Sequence, residues 1–181
     1  MADTILSIAQ IEDFFANLTL QMVGLDPVAP ANQNRVRIGW APNGAPAWKR
    51  TEDVAFLLVN YDDDPITRLV DVTYQEADIN NVNRTVSYTR VQRVNWICYG
   101  PNSFDDMDKI RHGLYLPQFT QILAANNLAL ILDMSMPVRS PELFNGQWWE
   151  RTSFYARFNE KVTRQADVPY IQSADVQIVK G

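Results

Sequence analysis

Few residues in this chain could do chemistry, and their settings argue against it. His112 is the sole histidine, so any Ser-His-Asp or Cys-His site would have to run through it. It stands between Arg111 and Gly113 in a helical stretch, which predicts a solvated or partly packed helix residue. Cys98 is the only cysteine, which excludes an internal disulfide and a cysteine-based zinc site. A reactive thiolate needs an accessible, electropositive setting; Cys98 instead shares a strand face with Val94 and Trp96, so a buried structural thiol is expected. Asp62, Asp63 and Asp64 are consecutive carboxylates before Pro65. Calcium loops space their oxygens at alternate positions and add a glycine and a distal glutamate, so a solvated turn is the better reading. No glycine-rich phosphate loop, nucleotide fingerprint or paired zinc-ligand motif occurs. The expectation is a chain that is not an enzyme and needs no cofactor and no metal.

Composition narrows the class further. The chain has 181 residues, enough for one domain spanning 1–181 with a real core. Apolar residues make up 46% and charged residues 20%, a globular rather than a disordered balance. The formal charge of −5 counts against clinging to phosphate backbones, though not against DNA passing nearby. No run approaches the ~20 apolar residues of a membrane span, and Met1 to Ser7 lacks the basic start and apolar block of a signal peptide. A soluble protein made in a cytoplasm is expected.

The elements that must position these residues follow from periodicity. Ile5, Ile8, Glu12, Phe15 and Leu18 fall near one stripe and predict a helix over 4–18, capped by Asp3 or Thr4. Residues 26–50 carry Pro27, Pro30, Pro42 and Pro46 and break regular structure, apart from a short alternating run at 35–40. Trp40 and Trp48 flank the loop 41–48 as aromatic shoulders of the kind that meet a partner. Residues 53–60 read as a buried strand ended by the aspartate turn.

From Leu69 to Tyr99 the pattern is β, with a reversal over 78–84. Val86, Tyr88, Val94, Trp96 and Cys98 share one face; Thr85, Ser87, Thr89, Arg93 and Asn95 share the other. Arg90 and Gln92 interrupt the apolar face, which predicts a bulge or register change there. Ser103 followed by Asp106 resembles a capping box, opening a helix whose buried stripe is Met107, Ile110 and Leu114. Pro117 breaks or kinks it, and Phe119, Ile122 and Leu123 continue a second helical piece to about Ala125. Strand 128–136 and loop 140–147 follow.

The most regular strand runs from Trp148 to Asn159. Trp148, Thr152, Phe154, Ala156 and Phe158 should line the core, with Glu150 near the strand's open end. Trp149, Arg151, Tyr155 and Arg157 form the opposite face, a mix of aromatics and arginines enriched at protein interfaces. A polar turn around 167–169 and a last strand over 171–179 complete the chain. Adjacent strands without helical crossovers predict an α+β fold, mostly antiparallel, with helices packed on one face.

These segments resemble a known family. Arg93-Val-Asn-Trp-Ile-Cys-Tyr-Gly-Pro-Asn-Ser-Phe-Asp-Asp-Met-Asp-Lys-Ile-Arg is similar to the neck or tail terminator proteins of tailed bacteriophages, in which an aromatic-rich strand runs through Tyr-Gly into an amphipathic helix. Pro141-Glu-Leu-Phe-Asn-Gly-Gln-Trp-Trp-Glu-Arg-Thr resembles their later segment, and Ile171-Gln-Ser-Ala-Asp-Val-Gln-Ile their closing strand. The resemblance covers residues 85–181 well and the N-terminal third in outline. It implies a virion structural protein: a subunit of a ring, usually a homohexamer, at the top of the tail tube. Such a ring caps tail growth, joins the tube protein to the head–tail connector proteins, and lets DNA through its bore without tight binding. A tail-tube, tail-completion or baseplate component is the alternative within this class. A small-molecule-binding or enzymatic α+β domain, with a carboxylate site assembled from distant residues, is the alternative outside it.

Overall fold

The computed structural model describes residues 5–39, 47–76, 78 and 81–169. Helix α1 (Ile8–Met22) begins downstream of the expected 4–18 because Ser7 supplies a full capping box. The Ser7 hydroxyl accepts from the Gln10 N–H at 3.2 Å, and the Gln10 side chain accepts from the Ser7 N–H at 2.8 Å. Two orphan donors are thereby satisfied reciprocally. Strand β1 (Val36–Ile38) then runs parallel to β2 (Val54–Tyr61), whose far end meets the aspartate turn as expected.

The frame is built by two long strands. After β3 (Val70–Glu76), β4 (Asn81–Tyr99) pairs antiparallel with β9 (Arg151–Pro169) along their whole lengths. At about 3.3 Å per residue each spans about 60 Å. Between them in sequence come α2 (Ser103–Gly113), α3 (Pro117–Ala125), β5 (Leu128–Ile131), β6 (Val138–Arg139), β7 (Glu142–Phe144) and β8 (Gln147–Trp149). The main sheet has the order β1-β2-β4-β9-β5, with β3 also beside β4 and β6 also beside β9; β7 and β8 form a separate hairpin. Among the described residues only the β1–β2 pair is parallel. The fold is α+β and mainly antiparallel, with helices packed on the sheet.

Register explains the core. Val59, Val94 and Ala156 lie side by side, as do Leu57, Trp96 and Phe154, and all six are buried. Phe15 of α1 packs on this face, 4.6 Å from Phe158 and 6.2 Å from Trp96 between ring centroids. The α2 stripe of Met107, Ile110 and Leu114 and the α3 residues Phe119 and Leu123 join the same cluster. Burying each such side chain is worth about 1.5–3 kcal/mol. The Trp96 indole N–H donates to Thr19 Oγ1 at 2.8 Å, and the Thr19 hydroxyl donates to the Phe15 carbonyl at 2.6 Å, so the polar atom inside the core is satisfied.

Several expectations are corrected. No bulge interrupts β4 at Arg90 and Gln92: its register with β9 is unbroken, because both side chains bond Glu160 across the sheet. Ser103 is not the cap of α2. That position is Asn102, without a side-chain cap bond, while Ser103 is buried with its hydroxyl 3.3 Å from that of Thr152. Pro117, by contrast, breaks the helical run as expected: α2 ends at Gly113 and Pro117 starts α3, at a position where its missing N–H costs nothing. The strand expected over 128–136 is only β5, closed off after Ile131.

Further corrections concern the last third. The expected loop 140–147 is the hairpin β7–β8, turned by Asn145 (φ 49°) and Gly146 (φ 73°), the two left-handed residues that such a turn requires. Trp148 is not in the core. It belongs to that hairpin and is 63% exposed, whereas Thr152, Phe154, Ala156 and Phe158 are buried as the alternation requires. There is no turn at 167–169, since β9 stays paired through Pro169. The strand expected over 171–179 lies outside the described residues.

Candidate interaction surfaces

The sheet face opposite the helices carries the residues singled out by type. Trp149 and Trp48 come together there, their ring centroids 5.9 Å apart. Trp48 also packs 4.9 Å from Phe56 and 5.6 Å from Tyr99, and Phe144 lies 6.2 Å from Trp149. Trp48 is therefore a half-buried member of an intramolecular cluster and not a bare shoulder of its loop. Trp40 lies outside the described residues. The cluster lines an open groove of about 320 Å³ with Ala47, Tyr99, Glu142 and Phe144 among its walls.

One carboxylate organises the rim of this groove. The Tyr99 hydroxyl donates to Glu142 Oε2 at 2.9 Å, and Arg151 Nε stands 4.0 Å from the same oxygen. Burial, reinforced by that hydrogen bond, pushes the Tyr99 phenol up to about 12. Glu142 reaches this place only because the Asn145–Gly146 turn folds β7 back on β8.

Further along the same face, Arg93 lies directly across from Arg157. Two like charges at this spacing would repel, and the surroundings separate their roles. Arg157 is met by Asp64 at 3.2 Å, Asp133 at 3.3 Å and Asp62 at 3.6 Å. Arg93 instead stacks over Tyr155, its guanidinium carbon 4.0 Å from the ring centre. The aspartate run is thus accounted for: Asp62 and Asp64 hold Arg157, Asp63 pairs with Arg68 at 3.1 Å, and Asp64 caps the turn after it by accepting from the Ile66 N–H.

The other chemistry candidates also resolve. His112 is exposed on α2, and Cys98 is buried, with its thiol pushed up to about 12 chiefly by burial and then by Asp106 and Asp53. Among the described residues no group of histidine, cysteine, aspartate and glutamate side chains is placed to hold a metal ion. No described helix is long and apolar enough to cross a membrane.

Reading the sequence missed Phe56, Tyr99 and Phe144 as partners of the tryptophans. Parity places Arg93 on this face but carries no sign that it falls beside Tyr155. The Asn145-Gly146 dipeptide was the available signal for the hairpin that brings Glu142 and Phe144 to the site.

The sheet has two unlike sides, one covered over the body by helices and the other carrying aromatic and arginine side chains. No curated protein matches the chain. A family model described as phage neck terminator protein matches residues 9–181, which take in α2, α3, every described strand and all of α1 but its first residue. The chain belongs to the phage neck terminator protein family and is a structural protein of the phage neck.

Proposed function

We propose that the chain is a non-enzymatic single-domain subunit that closes into a homohexameric ring at the top of the tail tube. There it ends tube growth and joins the tube to the head–tail connector. The observation that carries this reading is the family match over residues 9–181, which favours the neck over the tube, completion and baseplate alternatives. The half-exposed face of Trp48, Trp149, Arg151, Tyr155 and Arg157 supplies large amphipathic side chains already held in place by their neighbours. Such pre-organised aromatics and arginines lose little entropy on being covered. We assign this face to contact with the neighbouring neck and tube proteins, and Trp40 to the same contact.

DNA passes through the bore of the ring without being held. The net charge of −5 supports this, since an acidic or neutral wall repels phosphate. Electron microscopy of the purified protein mixed with its tube protein tests the reading. Annular particles capping tube ends are expected. Tubes left open in the presence of excess protein would contradict it. Affinity for duplex DNA should be no tighter than the micromolar range of non-specific binders, about 10⁻⁶ M or weaker.

A further inference from the structure

The helix-facing side of the sheet stays apolar far beyond the helices. Past Arg90 and Glu160 the strands β3, β4 and β9 continue as an arm, and β3 is exposed along its whole length. On this side of the arm Val70, Tyr88 and Val162 lie in one row, Val72, Val86 and Arg164 in the next, and Tyr74, Arg84 and Ala166 in a third. The reverse side carries Asp71, Thr73, Thr85, Ser87, Thr163 and Gln165, a polar set. Val162, at the root of the arm, is buried, whereas Val70, Val72 and Tyr74 on β3 are 58%, 36% and 60% exposed. An amphipathic sheet leaves its apolar side open only when something else covers it.

We propose that α2 of a second copy covers this side of the arm, in a head-to-tail contact repeated around the ring; the proposal rests on the ring reading above. The outer stripe of α2 fits in residue type. Phe104 and, just past the helix end, Tyr115 are 47% and 44% exposed, and Asp105 and Asp108 are exposed beside them. Neither Asp105 nor Asp108 has an ion pair among the described residues, unlike Asp106, which Arg35 and Lys109 engage. The arm offers the complement in Arg84, set among valines and tyrosines. Apolar contact flanked by opposite charges fixes both register and partner.

A chain cannot make this contact with itself. Ser103, at the start of α2, touches Thr152, which pairs with Cys98; Arg84 lies fourteen rungs further along the same strand pair. At about 3.3 Å per residue the start of α2 and Arg84 are about 45 Å apart along the sheet. Complementary surfaces at opposite ends of one chain generate a heterologous contact, the type that closes rings.

The test places a photoreactive benzoylphenylalanine at Tyr74, which is exposed and outside the core, and mixes this protein with isotopically heavy wild-type copies. A cross-link from light Tyr74 to a heavy α2 peptide is expected. Separately, Arg84→Asp should weaken self-association about tenfold or more while leaving the melting curve unchanged. Adding Asp108→Arg to that variant should restore it. If wild type assembles, Arg84→Asp assembles equally well and no heavy cross-link forms, the arm contact is wrong and the ring stands. A cross-link to residues 170–181 of the same chain gives the face to that segment instead and also overturns the proposal. Wild type that stays monomeric overturns the ring and the contact together.

Discussion

Arg90 and Glu160 stand directly opposite each other on β4 and β9, with Arg90 Nη2 2.6 Å from Glu160 Oε1. The carboxylate is almost wholly buried, and it also accepts from Gln92 Nε2 at 2.8 Å and from the Leu6 N–H at 3.3 Å. Arg90 in turn donates to the Leu6 carbonyl at 3.0 Å. This network ties the segment before α1 to the sheet, and it marks the border between the helix-covered body and the exposed arm.

Removing one partner leaves the other charge buried and unpaired. Glu160→Ala should therefore cost about 3–5 kcal/mol of folding stability. Replacing both groups by apolar residues, as in Arg90→Met with Glu160→Met, should cost distinctly less than Glu160→Ala alone. Urea denaturation of the single and double variants measures the difference. Equal losses in both would show that the pair is not the source of the cost.

Phe154 and Arg157 sit on opposite faces of one strand and should behave differently. Phe154 is buried and stacks on Trp96, with 5.6 Å between centroids, so Phe154→Ala should cost about 3–5 kcal/mol through a core cavity. Arg157→Ala loses ion pairs to partly exposed carboxylates, worth about 1 kcal/mol. It should melt close to the parent and weaken assembly. Melting and self-association are to be measured side by side on both variants.

Gly100 turns the chain from β4 into α2 with φ of +113°, where a side chain is strained. A Cβ there would also sit 2.6 Å from the Glu52 carbonyl oxygen and 2.7 Å from Asp53 Cα. Backbone cannot yield as a side-chain tip can. Gly100→Ala should cost about 2–3 kcal/mol or more, read from its melting temperature, whereas Gly146→Ala, with open space around it, meets only the backbone strain at its left-handed φ.

Much of this was legible in the sequence because it depends on local periodicity. The Met107, Ile110 and Leu114 stripe and the alternation of Phe154, Ala156 and Phe158 each report one buried face. Arg90 and Gln92 defeated the same logic. A polar residue on an apolar face signals either a local bulge or a buried partner, and here the partner lies on β9, distant in sequence from both. Trp148 was misplaced because alternation was carried through Glu150, where the chain leaves the hairpin and enters the main sheet. The aromatic groove was hidden for a related reason: Trp48, Phe56, Tyr99 and Trp149 meet only after three separate strands have paired.

Alkaline pH should destabilise the fold. Burial raises the Cys98 thiol from 9.0 to about 12, and burial with the Glu142 hydrogen bond raises the Tyr99 phenol from 10.0 to about 12. The folded protein then retains protons that the unfolded chain releases. The contribution of these groups is intact below about pH 9 and falls as pH climbs toward 12. Stability measured across that range should decline, and a thiol reagent at neutral pH should label Cys98 only on unfolding. Rapid labelling of the native protein would contradict the buried thiol.

The central claim is that this chain works as a closed ring, and native mass spectrometry tests it most directly. One subunit weighs 20.7 kDa. Over a rising concentration series, alone and with the tube protein, the account predicts a discrete species at six times that mass with no open-ended ladder. A protein that remains at 20.7 kDa in every mixture would contradict it.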